Sequence, residues 1–154
     1  MEIDTAEISK YKHITDEKVK FHEVDMMSVC NNAVYFNYFE DARVKYIQDL
    51  KREYNLKEIL ENGLFFIMAH NECDYYVPAL FDDDLSILTR IEYIKNTSFG
   101  FKHLVFRKSD EKILASGAGV LVHINFDTKQ KVDLPKEFYE AVSSFEDEVS
   151  ITTK

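Results

Sequence analysis

The pattern of apolar and polar positions divides the chain into one long helical stretch and a series of extended ones. From Asn31 onward apolar residues return at helical spacing. At about 100° per residue, Tyr35, Phe36, Phe39, Ala42, Tyr46, Ile47 and Leu50 fall on one broad face, with Asn37, Asp41, Lys45, Gln48, Asp49 and Arg52 on the other. Asn31 or Asn32 can cap its start, and an end near Lys51 makes the helix roughly 30 Å long at ~1.5 Å per residue. Before it, Lys18–Val24 alternates at Val19, Phe21 and Val24 and reads as a strand, and Asp25–Cys30 reads as a loop. Residues 1–16 read as a polar, loosely ordered start. After it, Leu56–Glu61 reads as a short helix closed by Gly63.

The chain then turns β-rich. Leu64–Val77 is extended and closed by Pro78. Leu85, Ile87, Thr89, Ile91 and Tyr93 alternate, as do Phe99, Phe101, His103 and Val105, and Ile113–Phe126 forms a further run. Turn signals separate them at 82–84, 95–98 and 108–112, and Pro135 opens a last short helix reaching about Ser144. One long helix against antiparallel strands makes an α+β domain, and four strands without intervening helices are expected to pair as a meander. A single domain spans 1–154, with 1–16 and 145–154 peripheral.

Composition narrows the function classes. The formal net charge is −9 and no Lys/Arg cluster offsets it, so a nucleic-acid backbone would be repelled over most of the surface. The longest apolar run, Leu64–Ala69, is far too short to span a bilayer, and the hydrophilic N-terminus does not read as a signal or anchor. Two cysteines, Cys30 and Cys73, form neither a disulfide framework nor a metal-ligand spacing. The expected setting is cytoplasmic, with no nucleic acid, membrane, metal or cofactor.

The stretch HEVDMMSVCNNAVYFNYFEDARVKYI resembles the signature of hotdog-fold acyl-CoA thioesterases of the 4-hydroxybenzoyl-CoA thioesterase-like family. The matching positions are Asp25, the Asn31-Asn32-Ala33 helix start with Tyr35, and Glu40 with Arg43. Downstream, YYVPALFDDDL and NTSFGF resemble the family's later elements, so that the likeness runs over about residues 17–140. Many members carry Gly-His-Val before the Asn pair, whereas this chain has Ser28, Val29 and Cys30. The resemblance implies a hotdog fold, in which a sheet wraps one long helix. It also implies an acyl-CoA substrate and a homodimer or homotetramer with its active site between subunits.

Thioester cleavage needs a nucleophile or an activated water, together with donors for the developing oxyanion. Asp25 is the candidate nucleophile or general base, and the helix start near Asn31, with open N–H groups and the positive end of the dipole, is the candidate oxyanion site, which the resemblance places at Asn32 in particular. The plainer reading of Asp25 is a turn or cap residue. Arg43 falls inside the apolar arc, three residues from Glu40. The plainer reading of these two is a partly buried ion pair, and the functional one makes Glu40 a second acid or has Arg43 orient Asp25. Asp25, Asn32 and Glu40 are thus the candidate catalytic residues, and Asn31, Tyr35, Arg43, His70, Lys95 and Ser98 the candidate substrate contacts. Lys95, Lys102, Arg107 and Lys108 are the cations available to coenzyme A phosphates. Competing readings are a non-catalytic acyl-CoA-binding module and a thioesterase acting on acyl-carrier protein.

Overall fold

A computed structural model describes residues 3–57 and 59–153. Its helices are α1 (Thr5–Ile8), α2 (Val34–Tyr54) and α3 (Lys136–Phe145). Its strands are β1 (His13–Lys18), β2 (Leu64–Tyr75), β3 (Asp84–Ile94), β4 (Ser98–Arg107), β5 (Lys112–Asn125) and the short β6 (Ser150–Ile151). The sheet runs β1-β3-β4-β5-β2 with antiparallel neighbours, and β6 adds to β3 in parallel.

The helical arc read from the sequence is the buried one. Tyr35, Phe39, Ala42, Tyr46, Ile47 and Leu50 of α2 are all buried. They meet two clusters of sheet residues along the helix. Near its start lie Leu85, Ile87, Val105, Leu114 and Ala115. Near its end lie Ile91, Ile94, Phe99 and Phe101, joined by Phe138 and Val142 of α3. Helix and sheet approach closely because Gly117 has no side chain: a Cβ there would sit 2.3 Å from the Phe39 ring. Asn55, at φ 52, ends α2 in the left-handed region. On the opposite face of the sheet Tyr11, Leu88 and Leu104 form a smaller cluster with Ile8 of α1.

Four expectations are corrected. The first strand lies at His13–Lys18, not Lys18–Val24, and Phe21–Glu23 is a single 3₁₀ turn. Residues 3–16 therefore include a helix and most of an edge strand. No helix forms at Leu56, Lys57 or Ile59–Glu61, with Glu58 outside the described residues; Gly63 does take positive φ. The strands after α2 are a meander only from β3 to β5. β2 crosses to the far side and pairs with β5, leaving β1 to pair with β3. Finally, a bulge between Ile91 and Tyr93 breaks the alternation of β3, so Ile94 rather than Tyr93 joins the helix-side core.

One carboxylate pair under β1 makes stability depend on pH. Glu17 is half-buried against α2, and burial together with the facing Asp41 carboxylate pushes its pKa from 4.5 up to about 7. A raised carboxyl pKa contributes stability that is complete below the unfolded value and is lost as pH rises through the folded one. Urea unfolding should show wild type losing this contribution between about pH 4.5 and 7. Glu17→Gln should remove the slope, gaining on wild type at higher pH.

Candidate active site

Asp25 sits at the head of a tight hairpin. Val24 and Cys30 pair across it, the Asp25 N–H donates to Val29 O (3.0 Å), and the Ser28 N–H donates to Asp25 O (3.0 Å). The Met27 N–H donates to Asp25 Oδ1 at 2.8 Å, which fixes the carboxylate in an Asx turn. The residue is exposed, and Oδ2 has no protein donor among the described residues. Ser28 has φ 62, a left-handed conformation that glycine adopts without strain. Ser28, which stands at the Gly of the resembled pattern, therefore has a glycine-like backbone, and the hairpin closes on it.

The hairpin is hung on a second loop. The Cys30 N–H donates to Ala79 O (2.8 Å), Val29 bridges Leu80, and the Phe81 N–H donates to Ser28 O (3.2 Å). Arg107 holds that loop from below, donating to Pro78 O (3.3 Å) and Asp83 Oδ2 (3.1 Å) and pairing with Asp110 at 2.8 Å. Arg107 is thus committed to structure. Lys102 pairs with Glu92 and Lys108 with Asp16, which leaves neither of them a free cation.

The helix start lies directly beyond. Asn31 O accepts from the Val34 N–H (2.9 Å) and Asn31 Oδ1 from the Ala33 N–H (3.0 Å), so Asn31 caps a first turn that becomes regular helix at Val34, three residues later than expected. The Tyr75 hydroxyl donates to Asn32 O at 2.7 Å, and the Tyr35 hydroxyl accepts from the Ala79 N–H at 3.2 Å. The two rings meet edge to face at 5.1 Å. The Tyr75 bond holds the peptide between Asn32 and Ala33, and the preceding peptide, which carries the Asn32 N–H, is held through Asn31 O by the Val34 N–H. No acceptor among the described residues reaches the Asn32 N–H.

Below the hairpin, buried Glu23 accepts from the Lys20 N–H (2.8 Å) and the Tyr38 hydroxyl (3.0 Å). Cys30 Sγ lies 3.8 Å from that hydroxyl, and burial pushes its thiol up; burial likewise raises Cys73 to about 11. Both stay protonated at neutral pH and offer no thiolate nucleophile. Glu23, Tyr75 and the backbone of Ser28 are the parts that sequence reasoning missed. Only Ser28, at the family's Gly position, carried a signal.

An open groove of about 520 Å³ runs between α2 and β2, starting one turn in from the helix start. Phe36, Ile47, Phe66, Met68 and Leu121 give it apolar walls, and Asn37, Glu40, Arg43 and Asn71 line it with polar groups. Glu40 and Arg43 do not form the expected ion pair: among the described residues Arg43 has no carboxylate within 4 Å, and its Nη1 is buried without an acceptor. Burial lowers the Arg43 pKa, and Glu40 opposes the shift from a distance. Arg43 and burial together keep His103 neutral, stacked on Phe39 at 4.6 Å.

The remaining candidates are scattered. His70 is exposed on β2, 3.4 Å from Glu72. The Lys95 N–H donates to Ser98 O (2.7 Å) in the β3–β4 turn, beside the core cluster at the far end of α2. Within one chain the fold brings Asp25, Asn31, Asn32 and Tyr35 together. It places Glu40 and Arg43 along the groove and leaves Lys95 and Ser98 at the opposite end.

The chain belongs to the thioesterase-like superfamily, whose family model matches residues 19–142. A putative esterase of Aquifex aeolicus is 25% identical over 81% of this chain and 93% of its own length. The acyl-CoA thioesterase YbgC of Haemophilus influenzae is 28% identical over 78% and 86%. Among solved structures, the DHNA-CoA thioesterase of Staphylococcus aureus superposes with a TM-score of 0.74 at 21% identity, covering 86% of this chain and 89% of that one. The fold is the hotdog fold, a long helix held by an antiparallel sheet. No helix among the described residues is long and apolar enough to cross a membrane.

The hairpin geometry predicts how position 28 tolerates change. Ser28→Gly should be neutral or stabilising by up to about 1 kcal/mol, because it relieves the left-handed strain. Ser28→Val should cost about 1–2 kcal/mol. Urea unfolding of the two variants against wild type measures both.

Proposed function

We propose that this protein hydrolyses an acyl-CoA thioester to a free acid and coenzyme A, in the cytoplasm, as a homodimer or homotetramer. The observation that carries this reading is a single juxtaposition. An exposed carboxylate with one free oxygen heads a turn pinned to a helix start, and the Asn32 N–H of that helix start is open.

As general base, Asp25 takes a proton from water while the water oxygen bonds to the thioester carbon. As nucleophile, the same carboxylate bonds to that carbon itself, and water then hydrolyses the anhydride. In both routes negative charge develops on the carbonyl oxygen, where the Asn32 N–H and the positive end of the α2 dipole stabilise it. Collapse breaks the carbon–sulfur bond and expels the coenzyme A thiolate. The Asn32 N–H shares its peptide with Asn31 O, which accepts from the Val34 N–H, and Tyr75 holds the next carbonyl, Asn32 O, so the helix start is ordered before substrate arrives. The groove between α2 and β2 suits an apolar acyl group, its walls supplied by Phe36, Phe66, Met68 and Leu121.

Thiol release from a panel of short, long and aromatic acyl-CoAs tests the reading. Wild type should turn over at least one of them. Asp25→Asn should lose about two to four decades of kcat while remaining folded. Equal rates in the two proteins would remove Asp25 from the chemistry. Saturable binding without thiol release in wild type would leave a binding module in place of an enzyme.

A further inference from the structure

Glu23 is 9% exposed, a carboxylate buried two residues before Asp25. Its Oε1 accepts from two neutral donors, the Lys20 N–H (2.8 Å) and the hydroxyl of Tyr38 (3.0 Å). Tyr38 is itself fully buried, in the second turn of α2. Burying a carboxylate is costly unless donors of fixed geometry satisfy it, and once satisfied it rigidifies what it joins. The two donors belong to different segments, the 3₁₀ turn before the hairpin and the helix after it. At its other end the Glu23 carbonyl accepts from the Asn31 N–H (2.8 Å), the amide next to the open one of Asn32. One residue thus ties the entry of the hairpin to α2 twice, through its side chain to Tyr38 and through its backbone to the helix start.

The two arms of the Asp25 hairpin are held differently. The second arm, residues 28–30, hangs on the loop at 79–81. The first arm, which carries Asp25, has no backbone bond to that loop among the described residues. It is tied to the second arm, by the Asp25 N–H on Val29 O and the pairing of Val24 with Cys30, and through Glu23 to α2. The Tyr38 ring also meets the Tyr35 ring edge to face at 6.1 Å, so this brace bears on the aromatic wall beside the helix start. We infer that Glu23 is a positioning residue for the reaction: with Tyr38 as its donor, it sets the distance between the Asp25 carboxylate and the Asn32 N–H. Without that bond the acid arm is free to shift, while the second arm, the helix start and the groove stay in place. Substrate is then bound as before, but the acid no longer meets its carbonyl carbon. This role rests on hydrolysis at Asp25 and belongs to a residue that does not touch substrate.

The Tyr38→Phe variant, which removes the donor and keeps the ring, tests it by thiol release. At a temperature where circular dichroism shows the variant fully folded, kcat should fall about tenfold to a hundredfold, with KM within about twofold of wild type. A displacement on the order of 1 Å costs a rate of that size. In an Asp25→Asn background the same substitution should cost less than about twofold, because the brace acts only through that carboxylate. Glu23→Ala removes the whole brace and should lose at least as much kcat as Tyr38→Phe; if it does not fold, Tyr38→Phe decides alone. A Tyr38→Phe protein that is less stable but keeps its full kcat when folded overturns the inference, since a bond serving only the fold gives that result. So do losses from Tyr38→Phe and Asp25→Asn that multiply in full. A wild type that releases no thiol from any acyl-CoA sinks hydrolysis and this role together, whereas an active wild type matched by Tyr38→Phe sinks this role alone.

Discussion

The site depends on a backbone clamp between two loops that are far apart in sequence. The Asp25 hairpin and the first turn of α2 contain little that would hold them in place alone. Their geometry comes from hydrogen bonds of residues 28–30 to residues 79–81, and from the hydroxyls of Tyr35 and Tyr75 closing on Ala79 and Asn32. Arg107 stabilises the supporting loop through Asp83 and Asp110. The clamp orders the exposed Asp25 carboxylate and the open helix start side by side, and under the proposed function that pre-ordering is what the chemistry draws on. It also explains the burial of Tyr35: its ring is a wall of the clamp and its hydroxyl an acceptor within it.

Much of this frame was legible in the sequence, and the exceptions share a physical cause. α2 announced itself because its buried arc is apolar at helical spacing, and β3 and β4 did so because alternate residues face that arc. β1 was hidden because His13, buried in this edge strand, is polar and pairs with Asp49 rather than packing as a hydrophobe. The apolar alternation that followed it was misleading, since Val19 is fully buried but Phe21 is 79% exposed on a 3₁₀ turn. The crossing of β2 to the far side of β5 depends on non-local pairing that no local pattern encodes.

The site divides in the same way. Asp25, the Asn pair and Arg43 stood out by motif or by being a charge on an apolar arc. Tyr75 and Glu23 did not, because their roles come from partners 43 and 15 residues away. The loss of the usual Gly at position 28 reads as a threat to the loop until the backbone is seen. Ser28 takes the left-handed conformation, and three backbone hydrogen bonds around it make that strain affordable. The next position, Val29, stands where the resembled pattern has a His, so this hairpin is one polar side chain poorer than that pattern.

The central claim is that the Asn32 N–H is an oxyanion donor held open by the clamp. The most direct measurement is the amide resonance of Asn32 by nuclear magnetic resonance, as the protein is titrated with an acyl-CoA analogue whose sulfur is replaced by methylene. Such an analogue keeps the carbonyl and cannot be hydrolysed. The Asn32 amide proton should move downfield in step with saturation, as expected for a new hydrogen bond. A saturated complex in which that resonance stays put would contradict the account.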